Sequence, residues 1–124
     1  MIRWGIVGLG KMAGHFANAI KETNNAKLIA ISSTRNRNLH SFGDKFEIDS
    51  KFRFEEYSKI IKCPEIDAVY ISTLNNTHFE LIKLCALNKK NILCEKPFCL
   101  DLVEANYLKK IIINNNVKFF EAIA

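Results

Sequence analysis

The sequence predicts an α/β fold with a doubly wound parallel sheet, formed by all 124 residues as a single domain. Apolar runs typical of strands alternate with segments of helical periodicity, an order that produces a parallel sheet covered by helices on both faces. Residues 68–71 and 91–94 show little polar alternation, as expected of strands buried on both faces. The first run enters a helix through Gly8-x-Gly10-x-x-Ala13, a pattern typical of a Rossmann-type sheet.

The expected elements occupy most of the chain. Strands are expected at 2–8, 27–33, 51–54 (a weak pattern), 67–73, 91–95 and 117–122. Helices are expected at 11–22, 37–46, 55–61, 77–88 and 102–114. Two helix starts carry the capping-box arrangement, in which a polar residue precedes a carboxylate by three positions: Thr77 before Glu80 and Asp101 before Glu104.

The glycine turn has the features of a dinucleotide-binding turn. Gly8 can take backbone angles that a Cβ would forbid, and Gly10 lets the main chain approach a pyrophosphate. Either Ala13 or Gly14 lets the helix pack closely on the strand, and the helix N-terminus offers free N–H groups to phosphates. A tight turn that holds no ligand is the alternative interpretation.

Composition restricts the class of protein. The content of 48% hydrophobic and 25% charged residues is typical of a globular protein. The net charge of +5 comes from scattered Lys and Arg residues, so we expect no nucleic-acid partner. Because no apolar stretch has the length of a membrane span and the N-terminus runs straight into a strand, we expect no membrane association and a cytoplasmic protein. The four cysteines form no metal-ligand or dithiol pattern, so we expect reduced thiols and no metal site; they are Cys63, Cys85, Cys94 and Cys99.

The residues after the second strand bear on the choice of dinucleotide. A cofactor without a 2′-phosphate is normally met there by an Asp or Glu that binds the ribose hydroxyls. This chain instead has Ser33, Thr34 and Arg35, whose hydroxyl and guanidinium groups suit a phosphate dianion. We therefore predict a preference for NADP, with NAD also possible; a polar loop with exposed arginines is the other interpretation.

Polar clusters also follow the later strands. They are the segment from Thr73 to His78, the tripeptide Glu95-Lys96-Pro97, and Glu121 in the last strand. Together with the glycine turn, they resemble the N-terminal domain of the Gfo/Idh/MocA family, named after glucose-fructose oxidoreductase, inositol dehydrogenase and a rhizopine-catabolism protein. The resemblance covers essentially the whole chain, and Glu-Lys-Pro after a buried strand is its most specific element.

The resemblance implies a Rossmann domain that binds NAD(P) in an oxidoreductase acting on a sugar, polyol or related substrate. The implied cofactor-binding residues are Gly8, Leu9, Gly10, Lys11, Met12, Ala13, Ser33, Thr34, Arg35, Thr73, Leu74, Asn75, His78, Glu95, Lys96 and Glu121. Lys96 is also the implied catalytic residue, because its ammonium can polarise a carbonyl oxygen or help to relay its proton. Two residues depart from the family pattern: Leu74 replaces a usual Pro, and Thr34 stands where NADP-using relatives often carry Arg.

Members of the family have a second domain that supplies most of the substrate pocket. We therefore expect the 124-residue chain to bind cofactor but not to turn over alone, since hydride transfer needs both reactants held in place. The family also implies a possible homo-oligomer. The alternative from another class is a non-catalytic dinucleotide-sensing or interaction module with the same fold.

Overall fold

The computed structural model describes residues 1–73, 77–95 and 101–122. Its strands are β1 (Ile2–Val7), β2 (Ala26–Ser32), β3 (Arg53–Phe54), β4 (Ala68–Ile71), β5 (Asn91–Glu95) and β6 (Phe119–Ala122). Its helices are α1 (Lys11–Lys21), α2 (Asn36–Lys45), α3 (Tyr57–Ile61), α4 (His78–Leu87) and α5 (Leu102–Asn114). The order of these elements agrees with the sequence prediction, and most boundaries lie within two residues of it.

The strands form one parallel sheet in the order β3-β2-β1-β4-β5-β6. This is the doubly wound arrangement, so the predicted fold is confirmed. The chain leaves β1 toward β2 on one side and returns beside β1 as β4 on the other. A crevice therefore opens between the carboxyl ends of β1 and β4, where ligands of such sheets bind.

Apolar side chains cover both faces of the sheet. On one face Ile6, Ile31 and Tyr70 pack with residues of α1 and α2. On the other face Val69 and Ile71 pack with residues of α3, α4 and α5. Burial of each large aliphatic side chain contributes roughly 1.5–3 kcal/mol, so these two layers hold the strand ends in fixed positions.

The expected strand at 51–54 differs from the observed structure. Residues Ser50–Phe52 form a turn of 3₁₀ helix, and only Arg53 and Phe54 pair with β2. The reason is local, because Asp49 Oδ1 accepts a hydrogen bond from the N–H of Lys51 at 3.1 Å and so favours the turn over an extended chain.

The two predicted helix caps behave differently. Asp101 Oδ1 accepts a hydrogen bond from the N–H of Glu104 at 2.8 Å, which confirms that cap. Thr77 makes no capping hydrogen bond to α4 within the described ranges. Its Oγ1 instead lies 2.5 Å from Oγ1 of Thr73, four residues earlier, so another local side-chain contact competes with the cap.

The buried cysteines are free thiols. Burial raises the pKa of Cys94 to about 12 and also raises the pKa of Cys63 and Cys85 above the ordinary range. Cys99 lies outside the described residues. Among the helices that are described, none is both long and apolar enough to cross a bilayer.

Candidate functional site

A cleft of about 690 Å³ lies at the carboxyl ends of β1, β2, β4 and β5. It is lined by Gly8, Leu9, Gly10, Lys11, Met12, Ser33, Thr34, Arg35, Asn38, Tyr57, Ser72, Thr73, Thr77 and Glu95. These residues come from loops far apart in sequence, which the sheet order brings to one edge. The cleft thus occupies the crevice where the strand order reverses.

The β1–α1 turn closes tightly because of its two glycines. Gly8 has a φ of 86°, in the region that favours glycine, and a Cβ there would lie 2.6 Å from Thr73 Cγ2. A Cβ on Gly10 would lie 3.2 Å from the carbonyl oxygen of Ser72. The main chain of the turn therefore runs against the end of β4 and remains open on the cleft side.

The first turn of α1 presents hydrogen-bond donors to the cleft. Gly10 is the N-cap and has no side chain to occupy these donors. Across residues 1–73, 77–95 and 101–122, no group accepts from the backbone N–H of Lys11 or Met12, and both residues line the cleft. A helix N-terminus with free N–H groups and a positive dipole end is suited to an anion such as a phosphate.

Ala13, and not Gly14, provides the close packing of α1 on the sheet. Ala13 is fully buried, whereas a Cβ on Gly14 would meet no atom within 4 Å. Of the two possibilities left open by the sequence, the structure therefore selects Ala13.

The end of β2 forms a polar wall of the cleft. Ser33 is buried, its N–H donates to Phe54 O at 3.1 Å, and its Oγ accepts from the N–H of Arg35 at 3.1 Å. This turn leaves Thr34 and Arg35 exposed along the cleft. Among the described lining residues the only carboxylate is Glu95, which belongs to β5 on the other side of β1. The described lining at the β2 end therefore has hydroxyls and a cation but no acidic group.

His78 supports the end of β4 through a hydrogen bond from the buried side. Its ring is fully buried, and Nε2–H donates to the carbonyl oxygen of Thr73 at 2.9 Å. The carbonyl oxygen can only accept, so Nε2 carries the proton in this contact. His78 thus supports the loop that bears Thr73 and does not itself line the cleft.

The side chain of Glu95 is held by a residue of the neighbouring strand β4. The hydroxyl of Tyr70 donates a hydrogen bond to Glu95 Oε1. Burial, followed by the neighbouring Glu95 carboxylate, raises the pKa of Tyr70, so the phenol remains a neutral donor. The backbone carbonyl of Glu95 accepts from the thiol of Cys94 at 3.3 Å.

Comparison with known proteins agrees with this geometry. The sequence profile described as "Oxidoreductase family, NAD-binding Rossmann fold", that of Gfo/Idh/MocA, matches residues 2–123. The chain belongs to the Gfo/Idh/MocA family. It is therefore an NAD-binding Rossmann domain of a family whose relatives are named as dehydrogenases and oxidoreductases.

Individual members of the Gfo/Idh/MocA family show the degree of similarity. The chain is 33% identical over 105 residues to a myo-inositol 2-dehydrogenase of Thermotoga maritima, matching 85% of this chain and 31% of that protein. It is 28% identical to a trans-1,2-dihydrobenzene-1,2-diol dehydrogenase of Danio rerio, over 98% of this chain and 36% of that protein. The chain spans about a third of the length of the relatives it matches.

Solved structures of the family have the same fold. A probable dehydrogenase of Thermotoga maritima superposes with a TM-score of 0.92 at 30% identity, over 98% of this chain and 36% of that one. A scyllo-inositol dehydrogenase of Lactobacillus casei, solved with NAD(H) and scyllo-inositol, superposes with a TM-score of 0.89 at 27% identity over the same shares.

The Gfo/Idh/MocA pattern and the geometry select overlapping sets of residues. The sequence-predicted residues that line the cleft are Gly8, Leu9, Gly10, Lys11, Met12, Ser33, Thr34, Arg35, Thr73 and Glu95. Ala13 and His78 are buried behind the cleft wall. Leu74, Asn75 and Lys96 lie outside the described residues.

Glu121 lies away from the cleft. β6 pairs with β5 so that Glu121 stands beside Cys94, whose side chain is buried on the α4 and α5 face of the sheet. The Glu121 carboxylate also contributes to the raised pKa of the Cys94 thiol. Glu95, one residue after Cys94, belongs to the opposite face because side chains alternate along a strand.

Within the described part of the chain, four residues that the sequence did not predict for the site also line the cleft. They are Asn38, Tyr57, Ser72 and Thr77. Ser72 and Thr77 flank predicted residues at the end of β4, and helical spacing from Arg35 could have indicated Asn38. Tyr57 begins α3, and no local pattern links it to the glycine turn.

Proposed function

We propose that the cleft binds NADP in preference to NAD and that residues 1–124 form the dinucleotide-binding domain of an oxidoreductase. The nicotinamide would accept or donate the hydride, and the other reactant would be a sugar, polyol or related hydroxy or carbonyl compound. The observation that carries the cofactor preference is the acid-free wall formed by Ser33, Thr34 and Arg35 at the end of β2.

The centre of the cleft suits a pyrophosphate. Gly8 and Gly10 keep side chains out of the space above the turn, and the free N–H groups of Lys11 and Met12 provide donors there. The Lys11 ammonium, also on the cleft wall, adds a positive charge. These groups would bind both dinucleotides equally, so they carry no preference.

The two ends of the cleft differ in chemistry. At the β2 end, a 2′-phosphate would meet the Arg35 guanidinium and the hydroxyls of Ser33 and Thr34, and no carboxylate is among the described lining residues there. At the β5 end, Glu95 offers a carboxylate to the nicotinamide half, and Lys96 follows it directly in sequence. We propose Lys96 as the catalytic residue that polarises the reacting oxygen or carries its proton.

The proposed substrate class comes from the names of proteins similar to this chain. One protein similar to this chain is named a myo-inositol 2-dehydrogenase, and another was solved with scyllo-inositol. Because polyols of this kind are the named ligands, a cyclic or linear polyol is the substrate class we propose for the whole protein.

The direct test of the cofactor is a fluorescence titration of the chain with NADPH and with NADH at fixed ionic strength. NADPH should bind more tightly, and Arg35→Ala should weaken NADPH binding about tenfold while changing NADH binding little. Arg37→Ala is the matched control, because Arg37 has the same charge but does not line the cleft. Tighter binding of NADH would reject the preference for NADP, and saturable binding of neither would reject the dinucleotide site in this chain.

The proposed catalytic role needs a longer form of the protein. In a version that contains the rest of the family's length, Lys96→Ala should abolish turnover with a polyol but leave cofactor binding largely intact. Unchanged turnover would remove Lys96 from the mechanism, and a wild-type protein that binds cofactor without any polyol turnover would favour a sensing module.

A further inference from the structure

Tyr70 lies in the sheet beneath the cleft and has no place in the predicted site. It is the third residue of β4, it is 3% exposed, and its side chain points to the face covered by α1. Its ring stacks on Phe16 of α1, with centroids 4.2 Å apart and an interplanar angle of 23°. Phe16 in turn packs in a T-shaped arrangement with Trp4, with ring centroids 5.0 Å apart. The Tyr70 ring is therefore locked in one orientation by packing.

The hydroxyl at the end of this locked ring reaches the cleft wall. Tyr70 pairs in register with Leu93, so Glu95 stands two residues further along β5 on the same face. The hydroxyl donates to Glu95 Oε1, which leaves Oε2 without a partner among the residues the structure describes. An ordered carboxylate with one oxygen engaged can offer the other to a ligand donor at little entropic cost.

We propose that Tyr70 is a positioning residue, which holds the Glu95 carboxylate so that it accepts a hydrogen bond from the nicotinamide half of the bound dinucleotide. The inference rests on the proposed function, since it names a device within the same site. The donor on the ligand would be a carboxamide N–H or a ribose hydroxyl, because these are the donors of that half. Tyr70 itself would not touch the ligand.

The test is Tyr70→Phe, which keeps the ring stacked on Phe16 and removes only the hydroxyl. We would measure the affinities of NADPH and of adenosine 2′,5′-bisphosphate, and likewise of NADH and of ADP. In each pair the second ligand lacks the nicotinamide half. Tyr70→Phe should weaken binding of the dinucleotides by about 3- to 10-fold, the effect of one hydrogen bond, and leave the two short ligands unchanged.

Two further variants separate positioning from folding. Tyr107→Phe removes a hydroxyl from an exposed ring on α5, away from the cleft, and should change no affinity. In the double variant Tyr70→Phe with Glu95→Ala, the loss of dinucleotide affinity should equal that of Glu95→Ala alone, because alanine removes the group through which Tyr70 acts.

The outcomes are distinct. A Tyr70→Phe chain that binds dinucleotides as wild type does, or that loses affinity equally for dinucleotides and short ligands, overturns the role of Tyr70 and leaves the proposed function intact. Additive effects in the double variant overturn it as well. A wild-type chain that binds none of the four ligands rejects the proposed function, and the role of Tyr70 falls with it.

Discussion

Gly8 and Thr73 are in such close contact that a Cβ on Gly8 would lie 2.6 Å from Thr73 Cγ2. This contact joins the β1–α1 turn to the end of β4, two segments more than sixty residues apart in sequence. The φ of Gly8, 86°, is a second reason that only glycine suits the position. The cleft therefore depends on this residue for both its backbone path and its packing.

Gly8→Ala should lower the free energy of unfolding by at least about 1 kcal/mol, because an alanine at positive φ is strained and its methyl group meets Thr73. It should also weaken dinucleotide binding. Urea unfolding followed by the fluorescence of Trp4, the one tryptophan in the chain, measures the first effect. The same fluorescence titration proposed above measures the second.

Gly14→Ala is the matched control for Gly8→Ala. Gly14 lies inside α1, and a Cβ there would meet no atom within 4 Å. Alanine should therefore raise the free energy of unfolding by roughly 0.5–1 kcal/mol through its higher helix propensity. Equal destabilisation by the two substitutions would contradict the packing described here.

Lys90→Met should destabilise the fold even though Lys90 lies far from the cleft. The buried Lys90 ammonium donates to the carbonyl oxygens of Cys63 and Ile66, each at 2.7 Å. Loss of the donor leaves the Ile66 carbonyl without a described partner and the Cys63 carbonyl with only the N–H of Ile66 at 3.4 Å. This should lower the free energy of unfolding by about 1–3 kcal/mol in a urea-unfolding measurement. Lys89→Met should change stability little, because the ammonium of this exposed neighbour bonds only the Asn115 side chain among the described residues.

Asp67 should make stability depend on pH in the acid range. Hydrogen bonds from the side chain and backbone of Arg3 lower the pKa of Asp67 below its ordinary value. A carboxyl with a lowered pKa in the folded state adds stability above its unfolded pKa, and the gain is lost as pH falls through the folded pKa.

Asp67→Asn isolates this contribution. The variant should be less stable than wild type at neutral pH, by a small amount because the Arg3–Asp67 pair is partly exposed. The difference in free energy of unfolding should shrink between about pH 5 and about pH 2 as the wild-type carboxyl protonates. A constant difference across that range would show that the charge of Asp67 contributes nothing.

His78→Leu should weaken dinucleotide binding although His78 does not line the cleft. The substitution removes the donor that holds the Thr73 carbonyl and leaves that oxygen without this hydrogen bond. His78→Gln supplies an amide N–H of similar reach and should retain more of the affinity. Equal titration curves for wild type and His78→Leu would limit His78 to a packing role.

Local patterns predicted most of the secondary structure and part of the cleft. Three parts of the cleft were recognisable in the sequence: the glycine spacing, the run from Ser33 to Arg35, and Glu95. In each, glycines or polar residues stand at the end of a predicted strand. The capping box at Thr77 was wrong in detail, since Thr73 competes for its hydroxyl. Tyr57 was not predicted, because it lines the cleft only as a result of where α3 packs in the fold. The residues next to it in sequence do not determine that position.

The sequence by itself determined the alternation of strands and helices, the glycine turn and the family, because these depend on periodicity and on residue types at short spacing. Tertiary structure alone decided that Ala13 supplies the close packing of α1, that Glu121 faces away from the cleft, and that Tyr70 reaches Glu95. The physical reason is that the pairing of distant strands sets which side chains share a face, and this pairing follows from packing across the whole sheet.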